Sequence, residues 1–183
     1  MIEISYTVPE LDKILKQYEN DILMVMAAAM QTNRAMMFDK EGGDNGKEKW
    51  APLKWRKGRI LQKRGTLRKS FAPLNDGKKP GRSQGSVVRT IGNSVQIGTN
   101  LMYAQMMNDG TTKMPGGVLR PVNAKALKIP VPEGFKIKGA REGFIFRKSV
   151  KIPARPMDTM SAEDDEEISQ TVLNYILEIL NNG

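Results

Sequence analysis

Five acidic residues in succession, Glu163 to Glu167, form the densest set of metal-binding or proton-transfer groups in the chain. They open a segment with helical apolar periodicity, where adjacent residues point to different sides, so most of them cannot converge on one ion. Their other use is electrostatic, because carboxylates in a first turn are favoured by the positive end of the helix dipole. A second set lies between Asp39 and Glu48. A calcium loop starting at Asp39 needs an oxygen ligand at Gly43, glycine at Asp44 and glutamate at Trp50, and none of these fits. A phosphate loop ending in Gly46-Lys47 needs glycine at Glu41 and a hydroxyl at Glu48, and it fails as well. The chain has no histidine and no cysteine, which removes the Ser-His and Cys-His arrangements, thiolate metal sites and disulfides. Catalysis would have to rest on carboxylates, lysines or hydroxyls, and no paired acidic motif sits on a plausible sheet scaffold for a metal nuclease. Neither enzymatic activity nor a cofactor nor a metal is expected.

The remaining chemistry is cationic. Lys54, Arg56, Lys57, Arg59, Lys63 and Arg64 surround Trp50 and Trp55, and such tryptophans could stack bases while the cations hold phosphates. The alternative is that the tryptophans anchor a loop to the core, as large aromatics usually do. Lys78, Lys79, Arg82 and Lys113 add cations in Gly- and Pro-containing segments. Charge is sorted along the chain. Up to Gly46, four basic residues face eight acidic ones; from Lys47 to Arg89, fourteen face two; from Thr90 to Met157, eleven face three; beyond that, none face seven. The basic middle either surrounds nucleic acid, meets a neighbour's acidic ends or forms a solvated surface.

The elements that must position these groups can be read from periodicity. Ile2, Ile4 and Tyr6 alternate with polar residues as in a half-buried strand, and Thr7 with Glu10 forms a capping box with Pro9 in the first turn. Leu11, Leu15, Tyr18, Ile22, Val25, Ala29 and Met36 then give one apolar face on a helix running to about Phe38, before Gly42 and Gly43. Its Met-rich second half is either core packing or an adaptable partner surface. Two short helices broken near Gly65 carry Ile60, Leu61, Leu67 and Phe71. Val87, Val88, Ile91, Val95 and Ile97 flank Gly92-Asn93 as a hairpin with positive backbone dihedrals at its turn. Thr99 or Asn100 caps a short helix that stops at Asp109-Gly110. Strands follow at Ala126 to Val131 and Phe144 to Ile152. A last helix is capped by Ser161, with Ile168, Val172, Tyr175, Ile176, Ile179 and Leu180 on one face.

The 183 residues fit one domain, 1–183, because that length buries a sizeable core without staples. The fold class expected is α+β: a small, mainly antiparallel sheet packed by a long N-terminal and a C-terminal helix, with long extended loops. Segments 39–49, 75–85 and 111–122 are expected to be mobile, or ordered by neighbours, since their composition buries little apolar area. No segment reads as a signal peptide or is apolar enough to span a membrane, which points to synthesis in a cytoplasm.

Four blocks in order, Trp50-Ala51-Pro52-Leu53, Gly65-Thr66-Leu67-Arg68-Lys69-Ser70, Val95-Gln96-Ile97-Gly98-Thr99 with Tyr103-Ala104, and Pro153-Ala154-Arg155-Pro156, resemble the phage virion-morphogenesis family. That family includes the tail-completion proteins of Mu-like phages, the protein G type. The chain departs from the family pattern at Met107-Asn108, where a His-Gln pair is common, and at Met157, where phenylalanine is common. Trp50, Pro52, Leu53, Gly65, Leu67, Ser70, Gly98, Tyr103, Gly110 and Pro153 are the structural positions of the pattern.

The resemblance implies a non-catalytic α+β subunit at the neck or tail end of a virion, made in a bacterial cytoplasm. Its role would be tail completion, tail termination or head-tail joining. It also implies a homo-oligomeric ring, expected as a hexamer, with other neck or tail proteins as partners and non-specific contact with genome DNA in the lumen. The alternative reading is a nucleic-acid-binding protein using Lys47 to Arg89. Arg155, held between two prolines, is expected either to project toward a carboxylate of a neighbouring subunit or to pair locally with Asp158 or the acidic run.

Overall fold

The computed structural model describes residues 16–44, 47–53, 60–61, 65–131, 139–140 and 143–182. The elements are α1 (Glu19–Asp39), α2 (Thr66–Phe71), β1 (Ser86–Ile91), β2 (Ser94–Thr99), α3 (Ala104–Asp109), a 3-10 turn (Pro115–Gly117), β3 (Leu127–Pro130), β4 (Phe144–Arg147) and α4 (Ala162–Asn182). The fold is α+β, with two long helices and antiparallel strand pairs. The strand expected at Ile2 to Tyr6 and the capping box of Thr7 and Glu10 lie outside the described residues. So does most of the first short helix expected before Gly65; the described Ile60 and Leu61 form a turn. Among the described residues no helix is long and apolar enough to cross a membrane.

Helix α1 corrects the expectation of a single apolar face. Leu23, Val25, Ala27, Ala28, Gln31, Asn33, Arg34, Met37 and Phe38 are buried, which is more than one side of the cylinder, while Met36 is 41% exposed. The cause is that α4, β2 and α2 all pack on it, and a helix enclosed by several elements loses its amphipathic stripe. The helix ends as Gly42 and Gly43 predict. Lys40 N donates to Met36 O at 2.8 Å and Gly42 N to Met37 O at 2.9 Å, with Gly42 at φ +92, a glycine-assisted termination. A side chain at Gly42 would collide with the Trp50 indole, 2.6 Å from its Cδ1.

The strands form two separate pairs instead of the single sheet expected from them. The hairpin β1–β2 runs in register from Ser86↔Thr99 to Ile91↔Ser94, leaving Gly92-Asn93 as a two-residue turn. Only Gly92 takes a positive φ there, +55, the pattern of turns with glycine at the first central position. The hairpin packs on α1 and α2 through β2, where Val95 is buried. The second pair runs from Leu127↔Arg147 to Pro130↔Phe144 and is prolonged by a bridge between Leu119 and Val150. Among the described residues no strand joins the two pairs.

The core gathers Met37, Phe38, Trp50, Ile60, Leu67, Ala104 and Met157, with Leu53, Leu61, Phe71, Leu101 and Met107 around them. Phe38 and Trp50 meet edge to face, centroids 5.3 Å apart at 79°, a preferred arrangement for aromatic rings. Trp50 thus takes the anchoring role of its two alternatives.

Several hydrogen bonds join the described parts of the loops to the rest of the subunit. Gln31, buried inside α1, grips Gly81 twice: Nε2 donates to Gly81 O at 3.1 Å and Gly81 N donates to Oε1 at 2.7 Å. Asn75 Nδ2 donates to Ala28 O at 3.2 Å, and the Asp76 carboxylate accepts the Lys78 N–H at 3.0 Å. Segment 111–122 is pinned by Thr111, whose N donates to Ile152 O at 2.9 Å and whose Oγ1 donates to Gly117 O at 2.8 Å.

Candidate functional site

The four sequence blocks converge on one joint. Residues 153–157 lie across the end of α3: Arg155 N donates to the carbonyls of Met107 at 3.1 Å and Asn108 at 3.0 Å, and Met157 N donates to Asn108 Oδ1 at 2.7 Å. Helix ends leave carbonyls without intrahelical partners, and this strap satisfies two of them. The approach is close enough to require glycine at 110. A side chain there would lie 2.4 Å from Ala154 N and 2.6 Å from Ile152 O, and φ is +64. From the other side Trp50 Nε1 donates to Pro156 O at 3.0 Å. Arg155 Nη2 donates to Ala51 O at 3.2 Å.

Arg155 therefore does not project outward. It is 6% exposed and turned onto the block that begins at Trp50. Its guanidinium is directed inward, toward the carbonyl of Ala51. Leu67 and Ser70 are buried in α2, Thr99 Oγ1 donates to Ser70 Oγ at 2.9 Å, and Gly65 starts α2 with φ +68. The blocks thus meet at this joint through the bonds of Trp50 and Arg155, the close approach at Gly110, the Ser70–Thr99 hydroxyl pair, and the shared core of Trp50, Leu67, Ala104 and Met157. Pro52 and Tyr103 sit at its exposed rim, Leu53 packs on the core, and Gly98 faces open space. Helix α3 has Tyr103 at its N-cap position, with no side-chain cap; the Thr99 hydroxyl instead accepts from Leu101 N at 3.2 Å, ahead of the helix.

A second constellation escapes sequence reading. Asp164, fully buried, receives Asn33 Nδ2 at 2.8 Å on Oδ1, and Arg34 Nη2 at 3.3 Å and Ser161 N at 3.0 Å on Oδ2. Lys47 Nζ is 2.5 Å from the same Oδ2, an ion pair by distance whose angle lies outside hydrogen-bond geometry. Ser161 Oγ accepts Asp164 N at 3.2 Å, which completes a capping box with aspartate in the third helical position. Burial lowers the Arg34 guanidinium from its ordinary pKa, while Asp164, Asp158 and Asp165 pull it back up. One buried carboxylate faces two cations, so its charge is neutralised in place. The readable signal was the pair Asn33-Arg34 inside an apolar helix together with Ser161-x-x-Asp164.

The candidate surface cations are scattered. Lys78 pairs with Glu178 at 2.7 Å and lies 5.6 Å from the Tyr175 ring centre; Lys113 pairs with Asp109 at 2.9 Å; Lys79 and Arg82 are exposed. Lys54, Arg56, Lys57, Arg59, Lys63 and Arg64 lie outside the described residues. Among the described residues no group of three or more acidic side chains is placed to hold a metal ion. Compared with protein-family models, curated proteins and solved structures, the chain finds no significant match in any of the three.

Proposed function

We propose that the chain is a structural subunit of a bacteriophage neck or tail end, acting in tail completion, tail termination or head-tail joining, as one member of a homo-oligomeric ring. The observation that carries this reading is the joint itself. Blocks as far apart as Trp50 and Pro156 meet through side-chain-to-backbone and backbone hydrogen bonds, and Trp50, Leu67, Ser70 and Gly110 of the virion-morphogenesis pattern are packed in it. A pattern of that kind marks a shared scaffold and not a reaction centre.

The charge distribution agrees with a subunit that meets copies of itself. Beyond Arg155 the sequence holds seven acids and no base, whereas the middle is strongly basic. Opposite-sign surfaces on one chain favour self-association and allow cationic loops to line a lumen crossed by DNA.

The test is negative-stain microscopy and sedimentation of the purified protein, with DNA binding titrated against salt. Discrete rings with weak DNA binding are expected. A protein that stays monomeric, or that binds DNA tightly at a defined site size with a steep salt dependence, overturns the reading in favour of a nucleic-acid-binding protein.

A further inference from the structure

Between α1 and α4 runs a groove of about 720 Å³ lined by the apolar side chains of Ala29, Met36 and Ile168 and by Glu163, Glu166 and Glu167. Met36 is 41% exposed there although it belongs to an otherwise buried helix. Farther along α4, Leu173, Leu177 and Leu180 are each 40% exposed or more. They follow Glu166 at helical spacing, so acid and leucine form one continuous stripe. This face is apolar and anionic.

The β3–β4 ribbon has the opposite character. Lys128 and Phe146 are directly paired across the strands and share its outer face, away from buried Ile145. Lys128 Nζ stands 4.1 Å over the Phe144 ring on the same face. Phe146 is 51% exposed, and Arg147 and Lys148 beside it are exposed too. Among the described residues from 119 to 152 there is no acid.

We propose that the β3–β4 ribbon of one copy seats in the α1–α4 groove of the next copy, with Phe146 against Met36 and with Lys128 and Lys148 against Glu163 and Glu166. The inference rests on the ring reading and names its contact. The occupant is a second copy because charge selects it: the same chain carries both the anionic groove and the cationic ribbon. Two-fold pairing of like patches would set acid against acid. Two different patches meeting head to tail make a heterologous contact, the kind that closes into rings. An aromatic anchor rimmed by charge also matches how binding energy is distributed in interfaces.

Charge exchange tests it. Glu163→Lys with Glu166→Lys, and separately Lys128→Glu with Lys148→Glu, should each raise the half-assembly concentration measured by sedimentation at least about tenfold. Combining the two sets should restore assembly, and Phe146→Ala should weaken it without charge change. Circular dichroism and melting of each variant check that the subunit stays folded, which the exposure of all five side chains favours. Wild-type rings with variants that assemble equally well overturn this contact and leave the ring reading standing. A wild-type chain that never assembles overturns both. If Lys128→Glu with Lys148→Glu lowers DNA binding while rings persist, the ribbon serves nucleic acid and the proposed contact is wrong.

Discussion

Arg34 and Asp164, 130 positions apart in sequence, meet at 3.3 Å with both side chains almost wholly out of solvent. The same guanidinium donates to the carbonyls of Met157, at 3.3 Å, and Thr159. It therefore ties the end of α1 both to the strap and to the start of α4. A buried carboxylate left with excess or missing positive charge is costly, whereas a complete pair is close to neutral. Asp164→Ala, which leaves Arg34 and Lys47 without their shared carboxylate, should lower unfolding free energy by about 3–5 kcal/mol, and Arg34→Ala by less, because Lys47 still faces Asp164. Urea denaturation of both single variants and the double variant checks this; additive losses would show that the two residues act independently.

Gly110→Ala should be among the most damaging small substitutions in the chain. The new methyl group meets backbone atoms of residues 152–154, which have no rotamer to escape into, and the left-handed φ adds about 1–3 kcal/mol of strain. Gly98→Ala, where nothing lies within 4 Å, is the control and should stay within about 0.5 kcal/mol of the parent. Equal melting temperatures for the two variants would contradict the close packing of strap and helix.

Hydrogen exchange on the free subunit should find the Gly81 amide protected, because its acceptor is the buried Gln31 side chain. Gln31→Ala should remove that protection and also destabilise the chain by about 1–3 kcal/mol, since a buried backbone group loses its partner. Fast exchange at Gly81 in the unassembled wild type would instead mean that neighbours order this segment.

Asp109 links stability to acid. Hydrogen bonds from Gln105, Lys113 and Asn108 hold its carboxyl pKa down to about 2. A depressed folded-state value contributes stability that is fully present above the ordinary carboxylate pKa and is lost as pH falls through the folded value. Asp109→Asn should thus melt lower than wild type at pH 5 to 7, and the gap should close between about pH 4 and about pH 2. A gap that is constant with pH would show that the carboxylate charge is not what matters.

Much of the local architecture was written in short-range patterns. Gly92-Asn93 between alternating apolar residues specified the hairpin, Gly42 and Gly110 specified helix ends, and Ser161 specified the start of α4, because turns and caps depend on φ preferences and on side chains only a few residues away. Charge sorting and the absence of histidine and cysteine were equally readable. Only the tertiary structure decided which side of α1 is buried, that the strands form two pairs, that Arg155 points inward onto Ala51, and that Arg34, Lys47 and Asp164 share one buried site. Each of these depends on which distant segments come into contact. Periodicity along one element reports that a face is apolar, but how many neighbours enclose that element, and where a long cation between two prolines finds its acceptor, are fixed by packing across more than a hundred residues of intervening chain.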